Sequence, residues 1–111
     1  MNIVSEEMVH TAFDYLNHEG DKAAKAKGAL VRADFYRKRI RAKLILEAPH
    51  TSHGMREAWA ESREEYAEIC DKLAECEQEV ERHRNARSRA ETIIEMFRTE
   101  SATRRTLGRV A

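Results

Sequence analysis

The sequence predicts an all-α protein built around one long helix. Its 111 residues include only four Gly and one Pro, the residues least favourable inside helices. Charged residues make up 36% and apolar residues 41% of the chain, a balance typical of long amphipathic helices. From Tyr66 to Phe97, residues of one face recur at alternating steps of three and four, which is the heptad pattern. We therefore expect a single helical domain, 1–111: an antiparallel helical hairpin with one coiled-coil-like helix, assembled into oligomers.

The first predicted helix covers residues 5–18. Ser5 is a good N-cap, and Val4 and Val9 have the spacing of a hydrophobic staple. Gly20 then predicts a helix stop in the left-handed conformation, which glycine adopts without steric cost.

The second and third predicted helices cover residues 21–47 and 55–61. Asp21 is the expected N-cap of the second helix, and Pro49 disfavours helix at the residue before it. The short turn that follows predicts an antiparallel neighbour. The buried stripe of the second helix is predicted to consist of Ala26, Leu30, Ala33, Tyr36 or Arg37, Ile40 and Leu44.

The long helix is predicted over residues 63–105. Ser62 and Glu65 match a capping box at its start. The other helices are too short to cover its whole heptad seam, so we expect its second half to be uncovered and to bind other chains. The predicted seam is Tyr66, Ile69, Leu73, Cys76, Val80, His83, Arg87, Ala90, Ile94 and Phe97. The predicted oligomer interface is Val80, His83, Arg87, Ala90, Ile94 and Phe97.

The formal net charge of zero results from charge blocks that cancel. Residues 22–46 carry nine bases and one acid, whereas residues 57–81 carry ten acids and two bases. Residues 82–111 carry eight Arg and three Glu, and residues 1–21 carry five acids and no Lys or Arg. Basic segments can therefore lie beside acidic segments of the protein or face an external polyanion.

The basic second helix is the main candidate for function. Regularly spaced Lys and Arg on a helix can follow a phosphate backbone and bind without reading sequence. The candidate nucleic-acid-binding residues are Lys25, Arg32, Arg37, Lys38, Arg39, Arg41 and Lys43. Phe35, Tyr36 and Trp59 would add base stacking if they are exposed. Alternatively, these bases pair with the acidic half of the long helix, where each surface pair contributes about 0–1 kcal/mol.

The sequence carries no motif for catalysis or for cofactor binding, so we expect no catalytic residues and no cofactor. His50 and His53 do not complete a tetrahedral metal site with Cys70 or Cys76, and we expect no metal. We expect no signal peptide and no membrane span, and we expect the protein in the cytoplasm with free thiols.

The chain contains the short motifs Ala26-Lys27-Gly28, Glu65-Tyr66 and Ile94-Glu95-Met96-Phe97-Arg98-Thr99. They are similar to motifs of small helical proteins of tailed bacteriophages, and for a phage-encoded protein the expected cytoplasm is that of the host cell. The order of helices resembles that of phage recombination mediators, oligomers that bind single-stranded DNA and help to load a recombinase. The resemblance implies single-stranded DNA and a recombinase as partners, with DNA held by the second helix. The alternatives are a protein–protein interaction module, such as a phage adaptor or inhibitor of a host protein, and a structural assembly component.

Overall fold

The computed structural model describes residues 3–110, and within them the chain forms four α-helices and no strand. The helices are α1 (Glu6–His18), α2 (Gly20–Glu47), α3 (His53–Glu61) and α4 (Glu64–Val110). The all-α prediction is therefore confirmed. Over the described part of the chain, none of the helices has an apolar stretch long enough to span a lipid bilayer.

The start of α1 follows the sequence prediction. Ser5 has an extended backbone, and its hydroxyl accepts a hydrogen bond from the Met8 amide at 3.2 Å. Val4 and Val9 are both buried, as expected for the two residues of a hydrophobic staple.

The junction of α1 and α2 differs from the prediction. The prediction of a left-handed conformation at Gly20 is wrong, because no residue of the described range 3–110 has a positive φ. Glu19 alone separates the two helices. Its amide donates to Tyr15 O at 3.0 Å and its carbonyl accepts from the Ala23 amide at 3.1 Å. Because helical hydrogen bonding continues through Glu19, Gly20 and Asp21 lie in the first turn of α2 rather than acting as a stop and an N-cap.

The junction of α3 and α4 also differs from the prediction. Ser62 has a helical backbone and its hydroxyl donates to Trp59 O at 2.7 Å, so it ends α3 rather than forming a capping box with Glu65. The flanking helices are longer than predicted, since α3 begins at His53 and α4 continues past Arg105 to Val110.

The chain forms two compact units, and α2 and α4 each contribute to both. We call the residues up to Ala23 together with those from Arg82 onward the terminal unit. We call Ala24–Glu81 the central unit.

In the terminal unit, α1 packs antiparallel on the second half of α4. The Ile3 amide donates to the Glu100 carboxylate at 2.9 Å, and the Tyr15 hydroxyl donates to His83 O at 3.3 Å. The core between these ends is formed by Ala12, Ala90 and Ile94, with Tyr15, Leu16 and Ile93 packed around it. The expectation that this half of the long helix is uncovered is therefore wrong. Facing alanines allow the helices to approach closely, so that α1 covers the apolar stripe of α4.

In the central unit, α2 buries the predicted stripe. Ala26, Ala33 and Leu44 are buried, and Leu30 and Ile40 are half-buried. Of the two alternatives at the middle of the stripe, Arg37 is the half-buried residue, and Tyr36 is 53% exposed. The opposite side of α2 therefore faces solvent.

Candidate nucleic-acid interface

Four of the seven candidate bases on α2 form ion pairs within the central unit. Arg37 and Lys38 both pair with Asp34, at 2.9 and 3.2 Å. Arg41 joins α2 to α3 through Glu61 at 3.0 Å and Glu57 at 3.6 Å, and Lys43 reaches Glu65 of α4 at 3.5 Å. The alternative of intramolecular pairing therefore describes these four residues.

The Arg37 side chain links two helices. It donates to Asp34, on its own helix, and to the side chain of Tyr66 at the start of α4. The hydrogen bond with Asp34, followed by that with Tyr66, raises the pKa of Arg37 above its ordinary value. Because its guanidinium is half-buried and joins two helices, Arg37 is not free to hold a phosphate.

Lys25, Arg32 and Arg39 differ from the other candidates. All three are exposed, and no ion pair or side-chain hydrogen bond joins them to any residue within the described range 3–110. They are spaced seven residues apart, so successive members are about 10 Å apart along one side of the helix. Lys43 lies on the same side, and its weak pair leaves its side chain 57% exposed. We call Lys25, Arg32, Arg39 and Lys43 the basic face.

Two aromatic side chains lie on the same side of α2. Phe35 is 62% exposed and Tyr36 is 53% exposed. Both follow Arg32 and precede Arg39 by three or four residues, the spacing of side chains that are neighbours on a helix surface. Two accessible rings therefore lie between Arg32 and Arg39, and the exposed side of α2 also carries the apolar side chains of Val31, 50% exposed, and Leu46, 77% exposed.

Trp59, the third predicted stacking residue, lies elsewhere. It is half-buried, and the Arg63 guanidinium lies 4.5 Å from the centroid of its ring. Because this cation–π contact occupies the ring, Trp59 stabilises the α3–α4 junction instead of contributing to the basic face.

The spacing of the bases along α2 does not by itself separate the paired bases from the free ones. The signal that could have done so is Asp34, the one acid of residues 22–46. An acid three or four residues before a base pairs with it on a helix surface, and Arg37 and Lys38 have this spacing from Asp34.

The residues of the predicted oligomer interface do not form one open surface in the chain. Ala90 and Ile94 are buried against α1, whereas Val80, His83 and Phe97 are half-buried. Arg87 is exposed and pairs with Glu91 at 3.0 Å. Its neighbour Ala86 is half-buried instead.

The terminal unit has an open groove of about 280 Å³ between α1 and α4. Met8, Tyr15 and Ile93 supply apolar lining, and Arg89 contributes the charged group. Its lining is mainly apolar, and it lies in the unit that does not contain the basic face.

No group of three or more potential metal ligands occurs in the part of the chain that the structure describes. Cys70 and Cys76 are half-buried free thiols. His53 Nε2 lies 2.6 Å from the carboxylate of Glu57. These side chains therefore do not add a second candidate site.

Comparison of the chain with models of known protein families, with curated proteins and with solved structures finds no match. The basic face is therefore interpreted from its own chemistry.

Proposed function

We propose that the protein binds nucleic acid without reading its sequence, through the basic face of α2. The observation that carries the proposal is the line of Lys25, Arg32 and Arg39, which are exposed and have no acidic partner within residues 3–110. Free cations on a helix surface can hold phosphates and release condensed counterions.

The arrangement of charge supports a polyanion over a protein partner. On α2 the bases from Lys25 to Lys43 form a line along one flank of the exposed side, next to the exposed apolar side chains of Val31, Phe35 and Leu46. A nucleic-acid backbone supplies anions along such a line, whereas a protein would have to supply a matching row of carboxylates.

We further propose that the protein acts as a mediator in phage recombination or replication. A mediator would combine nucleic-acid binding with self-association and with recruitment of a recombinase. Its support is the motif resemblance together with the basic face, and the binding step is the one to test first.

The test compares two charge-reversal variants of the full chain. The first, Arg32→Glu with Arg39→Glu, reverses two charges of the basic face. The second, Lys27→Glu with Lys38→Glu, reverses two exposed bases on another side of the same helix, so the change in net charge is identical. Circular dichroism checks that both variants remain helical.

Binding is measured by the fluorescence anisotropy of a labelled oligonucleotide of mixed sequence at about 50 and about 200 mM salt. We expect the wild-type chain to bind more weakly at the higher salt. We expect the first variant to lose about tenfold or more in affinity and the control to lose much less. Equal losses in both variants, or a wild-type chain that does not bind at low salt, would overturn the proposal and favour the protein-interaction alternative.

A further inference from the structure

We infer that the exposed side of α2 also binds the surface of an anionic lipid bilayer, with its apolar side chains among the headgroups and its bases on the lipid phosphates. The helix lies along the surface and does not cross it. This inference goes beyond the proposed function, because it uses apolar side chains and bases that a nucleic-acid backbone on the basic face leaves uncovered.

Apolar side chains form a row along the exposed side of α2. Val31, Phe35 and Leu46 are 50%, 62% and 77% exposed, and Ala42 is exposed as well. Steps of four, seven and four residues place all four on one side of the helix. We call them the apolar row, and from its first to its last member it is about 22 Å long. It lies opposite the buried stripe of α2, so packing within the central unit leaves it open.

Bases follow both edges of the apolar row. On one edge is the basic face, whose Arg32 and Arg39 lie three residues before and four residues after Phe35. On the other edge are Lys27 and Lys38, which are both exposed and lie eight residues before and three residues after Phe35. An apolar stripe with Lys and Arg beside it is typical of helices that lie in the interface of a membrane.

One acid lies on the second edge. Asp34 pairs with Arg37 at 2.9 Å and with Lys38 at 3.2 Å, and the Lys38 side chain stays 62% exposed. The charge of Asp34 is therefore compensated within α2, and the second edge keeps a net positive charge.

A bilayer surface fits this arrangement better than a partner helix does. A partner helix needs large apolar side chains at regular steps, whereas Phe35 and Leu46 lie eleven residues apart and the row has only the small Ala42 between them. A protein would also have to supply acids on both sides of an apolar groove. A fluid lipid surface has no fixed register, and its phosphates reach both edges of the row.

Two contributions add up at such a surface. Binding strength scales with the apolar area that enters the interface and with the attraction of the bases to anionic lipids. The apolar row has three large side chains, which is little area for a neutral bilayer. We therefore expect binding to require anionic lipid and to weaken as salt screens the charges.

Vesicle co-sedimentation of the full chain tests the inference. One vesicle preparation is phosphatidylcholine, and the other is an equimolar mixture of phosphatidylcholine and phosphatidylglycerol. We expect affinity for the mixed vesicles to be higher by about tenfold or more. Equal binding to both preparations, or no binding to the mixed vesicles at low salt, would overturn the inference.

The apolar row is tested with Phe35→Ser combined with Leu46→Ser. We expect this variant to lose about tenfold or more in affinity for the mixed vesicles. Phe13→Ser combined with Met55→Ser is the control, because it removes a phenylalanine and an aliphatic side chain that are exposed outside α2. Circular dichroism checks that both variants remain helical. Equal affinities of the two variants would contradict a contact through the row.

The charge-reversal variants separate this inference from the proposed function. Lys27→Glu with Lys38→Glu changes the second edge, so we expect a loss of about tenfold or more with mixed vesicles and a much smaller loss with the oligonucleotide. Arg32→Glu with Arg39→Glu should weaken both. Failure of the wild-type chain to bind the oligonucleotide overturns the proposed function alone, and failure to bind the mixed vesicles overturns this inference alone.

A spectroscopic variant gives a direct readout of the row. Phe35→Trp combined with Trp59→Phe places the one tryptophan of the chain there. We expect its emission to move to shorter wavelengths with mixed vesicles, since the ring leaves water. An unchanged emission would contradict the inference. So would a serine variant that keeps its vesicle affinity but has a lower solution mass, which would assign the row to contact between copies of the chain.

Discussion

Asp34 neutralises part of the positive charge on α2. Its carboxylate accepts from Arg37 at 2.9 Å and lies 3.2 Å from Lys38 Nζ. The hydrogen bond from Arg37, followed by that from Lys38, lowers the pKa of Asp34 below its ordinary value of 3.8. At neutral pH this one acid is ionised and neutralises part of the charge of two bases that lie on another side of α2 from the basic face.

Removing the Asp34 charge should therefore strengthen nucleic-acid binding. In Asp34→Asn, the segment 22–46 loses its one acid, so the net positive charge of α2 rises by one and attracts a polyanion more strongly. We expect the affinity for an oligonucleotide to rise by about twofold or more at low salt. Asp71→Asn makes the same chemical change on an exposed position of α4, and we expect it to have less effect. A weaker or unchanged affinity in Asp34→Asn would show that its charge does not oppose the ligand.

At the scale of the secondary-structure element, α4 shows what a heptad pattern determines. Along the seam, Tyr66, Leu73 and Val80 are half-buried as the pattern predicts, but Arg87 is exposed. In the terminal unit the inward side of α4 is set by its packing against α1. Ala86 lines the groove between these two helices together with Ala90 and Ile93, whereas Arg87 pairs with Glu91 of its own helix at 3.0 Å. The contacts with α1 therefore determine which residue is turned inward, and the heptad count from Tyr66 does not.

The short helix α3 depends on one fully buried alanine. Ala60 is 0% exposed, whereas Ala58, on the same helix, is exposed. Adding three carbon atoms at Ala60 overpacks its surroundings, which costs about 1–3 kcal/mol.

We therefore expect Ala60→Leu to lower the free energy of unfolding by about 1–3 kcal/mol and Ala58→Leu to change it by less than about 0.5 kcal/mol. Urea denaturation followed by circular dichroism measures both. Equal effects of the two substitutions would mean that the closest packing in α3 is not at Ala60.

At the scale of the whole molecule, self-association stays a prediction from the heptad seam. The seam residues Leu73, Cys76 and Val80 are only half-buried within the chain. Burying the rest of such a stripe against another helix is favourable, at about 25 cal/mol per Å² of apolar surface. We therefore expect the solution mass to equal two or more chains.

Sedimentation at several concentrations, and at low and high salt, measures this mass. Association through apolar side chains persists at high salt, whereas association between charge blocks weakens as salt screens it. A single-chain mass at about 100 µM would contradict the prediction, because a Kd weaker than that corresponds to less than about 5.5 kcal/mol of binding free energy.

The sequence by itself determined the helices, because their signals are local. Low Gly and Pro content, the Ser5 cap and the apolar periodicity of α2 act within a few residues of each other, and all three predictions agree with the structure. The ends of the helices were less predictable. The junctions at Gly20 and Ser62 depend on how the neighbouring helices continue. A glycine or a serine is compatible with the start of a helix as well as with its end.

Only the tertiary structure decided which charges and which apolar residues are free. From the sequence, each base of α2 could be either paired or exposed. The sequence also did not determine which helix packs on Ala90 and Ile94. Packing of α1 on α4 buried these two residues, and packing around α2 brought Arg37 and Arg41 to partners on other helices. Lys25, Arg32 and Arg39 were left exposed to solvent, since contacts between residues distant in sequence depend on how helices meet and not on the pattern within one helix.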